Sequence, residues 1–407
     1  MKQETIVAAG DKGEASASFW KNNMRDYGLL LSLLAIMAFF EVATGGVLLQ
    51  PVNITNLIQQ NSYIVIMALG MLLVIVGGNI DLSVGSIVGF VGAIAASMIV
   101  GFTVPWLGID MQVHWLPVIF ISMVLGGLIG AAQGYFVAFA KIPAFIVTLA
   151  GMLIFRGLTG NMLLGQFVGP FPNEFQNISK GFIPDFFGLP EFRWTSMLLG
   201  VFGAALLLYT SLRKWRIAQS QQMETEPYAL FIGKTVLFAA LILGFSFLLS
   251  SYKGLPVVLI IMGTLILLYT FVTTRMTIGR RIYALGGNML AARLSGIKTE
   301  QLTFLTFVNM GVLAGIAGLI VAARLNSATP SAGNSFELDV IAACFIGGAS
   351  ASGGVGKVMG VVIGAFVMGV MNNGMSILGI GIYWQYVVKG IVLLMAVYVD
   401  VLQKKRG

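Results

Sequence analysis

Apolar segments long enough to cross a membrane follow one another along almost the whole chain. A membrane-spanning helix needs about 20 predominantly apolar residues, and segments of about that length recur between short polar stretches. We predict about twelve spans, at 27–49, 56–78, 83–102, 116–140, 144–164, 195–212, 235–250, 256–273, 302–325, 336–350, 358–375 and 384–402. The expected fold is therefore an all-α polytopic membrane protein.

The composition excludes a soluble domain. Of 407 residues, 57% are hydrophobic and 10% are charged, whereas a soluble domain carries about 25% charged residues. The excess of Lys and Arg is a topology signal rather than a sign of nucleic-acid binding, and it predicts that both chain termini are cytoplasmic. The single cysteine, Cys344, excludes an internal disulfide, and with only one histidine, His114, we expect no metal site or histidine relay.

The expected organisation is a cytoplasmic N-terminal tail, 1–26, followed by one transmembrane domain, 27–407. The long polar loops are placed outside at 165–194 and inside at 213–234 and 274–301. The segment 336–350 would form a helix of about 22 Å, short of the roughly 30 Å hydrocarbon core. We therefore predict a short or broken helix there, with irregular backbone at 347–356 completing the depth beside a solute path.

A basic polar interruption at 275–300 divides the apolar sequence. Within it, Asn288 is a good N-cap, 289–295 forms two helical turns, and Gly296 is a natural stop. Leu290 and Leu294 share one face of this short helix. That face suits either a soluble partner or the lipid headgroups. The residues proposed to meet a partner are Asn288, Met289, Leu290, Arg293, Leu294, Ser295 and Gly296, with Arg293 on a different face and free to pair with acids at the rim.

Two glycine-rich stretches are candidates for a gate or translocation path. In GGNIDLSVGS (77–86), Asp81 or Ser83 is expected to cap a helix at the inner end of a tight hairpin, and the hairpin is either a simple turn or part of an inner gate. The second stretch, GGASASGGVGK, is not a P-loop, because Ala351 and Val358 stand where the pattern needs Gly and Ser or Thr. The path candidates are Gly78, Asn79, Asp81, Ser83, Asn61, Gly347, Gly348, Ser350, Ser352 and Asn372.

Repeated GxxxG spacing allows close helix approach, either within the chain or at a seam between two copies. The runs are Gly126/Gly130/Gly134, Gly85/Gly89, Gly311/Gly315 and Gly356/Gly360/Gly364.

Charged residues inside the spans separate classes of transporter. We assign Glu41, Arg156, Arg324 and Lys389 to the spans, with the last two near the outer ends, where they can snorkel. Arg156 needs a partner, for which Glu41 is one candidate. No carboxylate cluster is predicted, which disfavours ion coupling. Amide side chains, including Asn309 and Asn373, suit a neutral hydroxylated solute or hold helices together.

Three motifs, in order, resemble sugar-importing ABC permeases of the ribose and xylose type. They are VIVGGNIDLSVGSIVGF (74–90), GRRIYALGGNMLAARLSGI (279–297) and AACFIGGASASGGVGKVMG (342–360), and KIPAFIVTLAGMLIFRGLTG (141–160) is also similar. The likeness is greatest to the longer, multiple-monosaccharide or xylose branch. The resemblance does not cover the two termini or roughly residues 165–255. We expect the two spans within 165–255 to be an addition at the periphery of the bundle.

The resemblance implies the membrane-spanning subunit of an ATP-driven importer for monosaccharides of the xylose, arabinose, galactose or glucose class. It implies a bacterial inner membrane, a permease homodimer, an ATPase with two fused nucleotide-binding domains and an extracytoplasmic sugar-binding protein. The chain itself is then no enzyme and binds no cofactor or metal, while ATP and Mg are used by the ATPase. The alternatives are an ion-coupled secondary transporter of a small polar solute and, less favoured, a membrane enzyme.

Overall fold

The computed structural model describes residues 28–102, 112–188, 192–221 and 228–406. Within these ranges the regular structure is helical, apart from isolated backbone bridges that pair Val168 with Ala328 and Phe182 with Pro256. The predicted tail, 1–26, lies outside the described residues. The helices are α1 (Gly28–Ala43), α2 (Pro51–Val76), α3 (Val84–Val100), α4 (Trp115–Ala138), α5 (Ala144–Leu163), α6 (Asn173–Lys180), α7 (Trp194–Ser220), α8 (Tyr228–Ser250), α9 (Val257–Arg275), α10 (Thr277–Gly287), α11 (Met289–Leu294), α12 (Thr299–Leu325), α13 (Phe336–Ile346), α14 (Val358–Ile377) and α15 (Ile382–Arg406).

The predicted fold class is confirmed. In the described part of the chain, nine helices are long and apolar enough to cross a membrane: α2, α4, α5, α7, α8, α9, α12, α14 and α15. The three remaining predicted spans coincide with shorter helices, α1, α3 and α13. Helix α13 has 11 residues and is therefore about 16 Å long, so it is the short helix expected near 336–350.

The glycine repeats pack helices together inside this chain. A methyl group on Gly126 of α4 would overlap the backbone of Gly311 on α12, and one on Gly315 would meet the Ser122 carbonyl. Another repeat seats α14 on α13, where Gly364 lies against the Ala343 carbonyl. Of the two interpretations of GxxxG, these contacts support intramolecular packing.

Two helices begin in the middle of the bundle rather than at its surface. The Phe336 ring, at the start of α13, stacks on Tyr63 with centroids 4.1 Å apart. Tyr63 lies midway along α2, about 20 Å from Val76 at 1.5 Å per residue. The first turn of α3 lies at the same level, because Gly85 contacts Phe336 and Gly333. The first turns of α3 and α13 therefore meet at mid-depth.

This arrangement corrects two sequence-based expectations. Residues 77–83 do not form a tight hairpin at the inner end; they run as non-helical backbone from the end of α2 to the mid-depth start of α3. Likewise, the irregular backbone that completes the depth of α13 precedes it, at 326–335, rather than following it at 347–356. Such backbone is tolerated at this depth because it is packed inside protein, and here Gly333 and Ala332 lie against α3.

Helices α7 and α8 form a peripheral pair, in agreement with the additional spans predicted there. They pack mainly on each other, with Gly200 directly opposite Ser246, and α8 also contacts α2. Helix α7 continues to Ser220, so helical structure extends into the predicted loop 213–234. On the opposite side, the predicted outer loop 165–194 contains α6, whose Phe175 is fully buried.

Candidate functional site

The predicted short helix of the basic loop is present as α11. The Asn288 side chain accepts a hydrogen bond of 3.0 Å from the Ala291 amide, and Gly296 follows with φ +80°. Ala292 is buried, but Leu290 is 69% exposed and Leu294 is 82% exposed. Helix α11 is therefore held by one small side chain while its leucine face is left uncovered by the described residues.

Arg293 is not free, contrary to the sequence-based expectation. Its guanidinium lies 3.8 Å from the Glu300 carboxylate at the start of α12, and Lys141 lies 3.1 Å from the same oxygen. Glu300 is the one acid between residues 275 and 300, and it pairs with one cation of that loop and one from the connection between α4 and α5. All three side chains are partly exposed, so the contribution of each pair to stability is small, about 0–1 kcal/mol.

Helix α10, which the sequence did not reveal, connects α11 to the bundle. Gly286 lies so close to the end of α2 that a methyl group there would overlap the Val76 carbonyl. That carbonyl also accepts a hydrogen bond of 2.9 Å from the Gly354 amide. The Tyr283 hydroxyl donates to the Gly356 carbonyl over 2.8 Å, and burial raises the pKa of Tyr283, which keeps this donor protonated. Helix α10 therefore contacts both the end of α2 and the segment before α14.

The glycine-rich stretch after α13 lies at the same end of the bundle. Gly347 and Gly348 end α13 as Gly77 and Gly78 end α2, with Gly78 at φ +84° and Gly348 at φ +81°. In each pair the second glycine takes the left-handed conformation that closes a helix. Next to Gly348, Ser350 is buried and Ser352 is exposed.

The carboxylate of Asp400 on α15 holds the glycine-rich stretch after α13 in place. It accepts hydrogen bonds from the Ser350 hydroxyl at 3.0 Å and from the Ala351 amide at 3.1 Å. Nothing in the sequence pointed to this contact, since an acid near the end of the last helix is typical of the boundary between a membrane helix and solvent. Residues 347–356, which were expected to lie beside a solute path inside the membrane, therefore lie at the end of the bundle that contacts α10.

Asp81 is buried at mid-depth and not at the inner end of a tight hairpin, where the sequence analysis placed it. Its Oδ1 accepts hydrogen bonds from the Ser83 amide at 2.8 Å and the Ser83 hydroxyl at 2.6 Å. Ser83 is the N-cap residue of α3, but its side chain caps no helical amide, and Asp81 instead binds the Ser83 amide just before the first turn. Gln133 of α4 holds the Ser83 hydroxyl from the other side, at 2.9–3.0 Å. Asn79, next in the non-helical run, is half-buried.

Arg156 is paired, but its partner is Glu337 rather than Glu41. The guanidinium of Arg156 lies 3.8 Å from the Glu337 carboxylate, which is buried in the first turn of α13. Glu41 instead accepts a hydrogen bond of 2.8 Å from the Leu49 amide in its own connection. The sequence-based prediction failed because Glu337, although it lies in the predicted segment 336–350, was not counted among the charges inside the spans.

A second buried carboxylate, Asp339, is paired with Lys389. Lys389 Nζ lies 2.9 Å from Asp339 Oδ2, and the Asn372 amide donates to the same oxygen over 3.1 Å. Lys389 therefore does not snorkel. Three buried acids, Asp81 included, also contradict the expectation that no carboxylates gather in the spans. In the part of the chain that the structure describes, no group of three acids, histidines or cysteines is arranged to hold a metal.

Several buried oxygen atoms at this level accept no hydrogen bond. They are Glu337 Oε2, Asp339 Oδ1, Asn372 Oδ1 and Asn373 Oδ1. Asn61, the other predicted path residue at this depth, donates to the Leu57 carbonyl of its own helix over 2.7 Å and packs against Gly369. The mid-depth cluster, which comprises Asp81, Glu337, Asp339, Asn372 and Asn373, is thus rich in buried acceptors without a hydrogen-bond partner in the described part of the chain.

The fold, the exposed helix α11 and the mid-depth cluster define a class of protein. It is a multi-pass membrane transport component in which an exposed short helix is linked through α10 to a bundle whose helices α3 and α13 begin at mid-depth. The family model described as branched-chain amino acid transport system / permease component matches residues 53–397. The chain belongs to this permease family.

Its relatives include permeases of two sugar systems. The chain is 41% identical over 384 residues to the xylose transport system permease protein XylH of Haemophilus influenzae, covering 94% of this chain and 98% of that protein. It is 40% identical over 385 residues to XylH of Escherichia coli K12, covering 95% of this chain and 94% of the relative. The ribose import permease protein RbsC of that organism is 34% identical over 386 residues, covering 94% of each chain. No solved structure matches the chain.

Proposed function

We propose that this chain is the membrane-spanning subunit of an ATP-driven ABC importer for monosaccharides of the xylose, arabinose, galactose or glucose class. Membership of the permease family and the names of the xylose and ribose relatives support the transport role and the sugar class. In this proposal the chain lies in the bacterial inner membrane with both termini in the cytoplasm. It forms a homodimer and receives its solute from an extracytoplasmic sugar-binding protein.

The observation that carries the coupling proposal is the uncovered leucine face of α11. Burying one leucine stabilises a contact by about 1.5–3 kcal/mol, so Leu290 and Leu294 offer a compact apolar anchor to a partner. The proposed partner is an ATPase with two fused nucleotide-binding domains, which binds ATP and Mg²⁺. The rigid connection through α10 to Val76 and Gly354 then carries its motion to α2 and to the segment between α13 and α14.

The solute is proposed to cross beside the mid-depth cluster. The unpartnered oxygens of Asp339 and Asn372 are acceptors, and sugar hydroxyls are donors. The non-helical backbone at 77–83 and 326–335, which the bundle packs at this depth, is the kind that lines a path. Gly78, Asn79 and Asp81 belong to the first of these segments, and Gly347 and Gly348 close α13 at the α10-facing end.

The rival proposal is an ion-coupled secondary transporter. The buried carboxylates Glu337 and Asp339 remove our sequence-based argument against it, but each already has a cation of this chain beside it. The test is sugar uptake into vesicles that contain the reconstituted complex, with ionophores to collapse ion gradients. Uptake should continue while internal ATP remains. Uptake that stops on ionophore addition while internal ATP stays high would remove the ABC proposal.

A further inference from the structure

A pocket of about 590 Å³ opens between the end of α9, helix α10 and the start of α14. Its walls carry two basic side chains, Arg280 and Lys357, and three threonines of α9. The lining residues are Thr270, Thr273, Thr274, Arg280, Tyr283, Gly356, Lys357, Val358 and Met359. The transport proposal above makes no use of this pocket.

The charges and hydrogen-bonding groups of the pocket fit a phosphate that carries hydroxyl groups. Arg280 and Lys357 supply positive charge from two different elements, and Lys357 is also the N-cap of α14. The hydroxyls of Thr273 and Thr274 donate to carbonyls of α9 over 2.8 Å and 2.6 Å. Their oxygen atoms therefore remain acceptors, which suits the hydroxyl groups of a glycerol headgroup.

An apolar track leads away from this polar end along α9. One stripe of α9 carries four side chains that stand three or four residues apart, Leu267, Thr270, Phe271 and Thr274. Leu267 is 73% exposed and Phe271 is 56% exposed. A soluble anion gains nothing from such an apolar track, whereas the track suits the acyl chain of a lipid.

We propose that this pocket binds the headgroup of an anionic phospholipid, of which phosphatidylglycerol has the matching chemistry. The proposal rests on the cytoplasmic placement of the 274–301 loop, and it does not depend on the solute or on ATP. Basic pockets between helices at the cytoplasmic side of a membrane are suited to anionic headgroups. Bound there, the lipid ties α9 to α10 and α14, next to the Tyr283–Gly356 hydrogen bond.

The test measures the lipid retained by the purified full-length chain. The protein is reconstituted into nanodiscs that contain phosphatidylglycerol and phosphatidylcholine, extracted with detergent, and assayed for each lipid by mass spectrometry. Arg280→Gln with Lys357→Gln should weaken retention of phosphatidylglycerol about 25-fold, roughly fivefold for each cation removed. Arg281→Gln is the matched control, because it removes a neighbouring exposed charge that does not line the pocket.

A second variant keeps the proposal falsifiable if the charge variants fold poorly. Thr274→Trp fills the pocket without changing its charge and should expel the lipid to the same degree. If Arg281→Gln loses as much phosphatidylglycerol as the double variant, the attraction to headgroups is general and the proposal is overturned. It is also overturned if the wild-type chain retains phosphatidylglycerol and phosphatidylcholine equally, because the pocket then selects no headgroup. Displacement of the lipid by inorganic phosphate would assign the pocket to a soluble anion. A change of oligomeric state in the double variant would assign it to a contact between copies.

Discussion

Lys389 of α15 lies 2.9 Å from Asp339 of α13, and both side chains are withdrawn from solvent, with Lys389 only 12% exposed. The pair joins the last long helix to a short helix that begins at mid-depth. Asn372 of α14 donates to the same carboxylate. Three elements thus meet at one buried charge, and removal of the lysine leaves that charge uncompensated.

Lys389→Met should lower the stability of the folded chain by about 3–5 kcal/mol, because an unpaired buried carboxylate is costly. The measurement is the thermal unfolding midpoint in detergent. Lys180→Met is the control, since that lysine is exposed on α6. Adding Asp339→Leu to the lysine variant should restore much of the loss. A lysine variant as stable as the control would mean that the pair carries little energy.

Arg156→Leu should also destabilise the chain, by about 1–3 kcal/mol, since it leaves Glu337 buried without its cation. The effect is smaller than for Lys389 because Arg156 is 39% exposed and its charge is partly solvated. The same unfolding assay and the yield of inserted protein measure it, with Arg213→Leu as an exposed control. The combined Arg156→Leu, Glu337→Gln variant should be milder than Arg156→Leu alone; additive losses would contradict the pairing.

Gly286→Ala should disturb the contact between α10 and α2, because the added methyl group overlaps the Val76 carbonyl that accepts from Gly354. Overpacking of this kind costs about 1–3 kcal/mol. Gly287→Ala is the matched control, since nothing lies within 4 Å of a methyl group there. Uptake by the reconstituted complex should fall in the first variant and stay normal in the second. Equal uptake in both would mean that α10 is not a mechanical link.

The sequence was most informative where structure is local. The cap at Asn288 and the stop at Gly296 involve residues a few positions apart, so their side chains alone predict α11. The helical class followed from apolar composition, because lipid leaves the backbone few other options. The short helix near 336–350 followed from its length.

Long-range pairing was not predictable in the same way. Arg156 and Glu337 are brought together by the packing of α5 and α13 around α3, which neither periodicity nor charge encodes. Glu337 and Asp339 lie in the predicted segment 336–350 but were not counted among the charges inside the spans. A span count assumes that every helix begins at a membrane surface, whereas α13 begins at mid-depth. A signal was present, since two acids open an apolar segment, and ionisable residues in such segments are costly unless they have a role.

The most direct test of the coupling proposal is made on α11. Leu290→Ser with Leu294→Ser should leave the chain folded and inserted, because no membrane helix is changed and both side chains are exposed. Ile217→Ser is the control, since it removes an exposed apolar side chain from the polar end of α7, within the predicted loop 213–234. The measurement is recovery of the co-expressed ATPase with the tagged permease, together with sugar uptake. We predict that the α11 variant loses the ATPase or uncouples its hydrolysis from uptake, while the control behaves as wild type. Full ATPase recovery with normal uptake in the α11 variant would contradict the account.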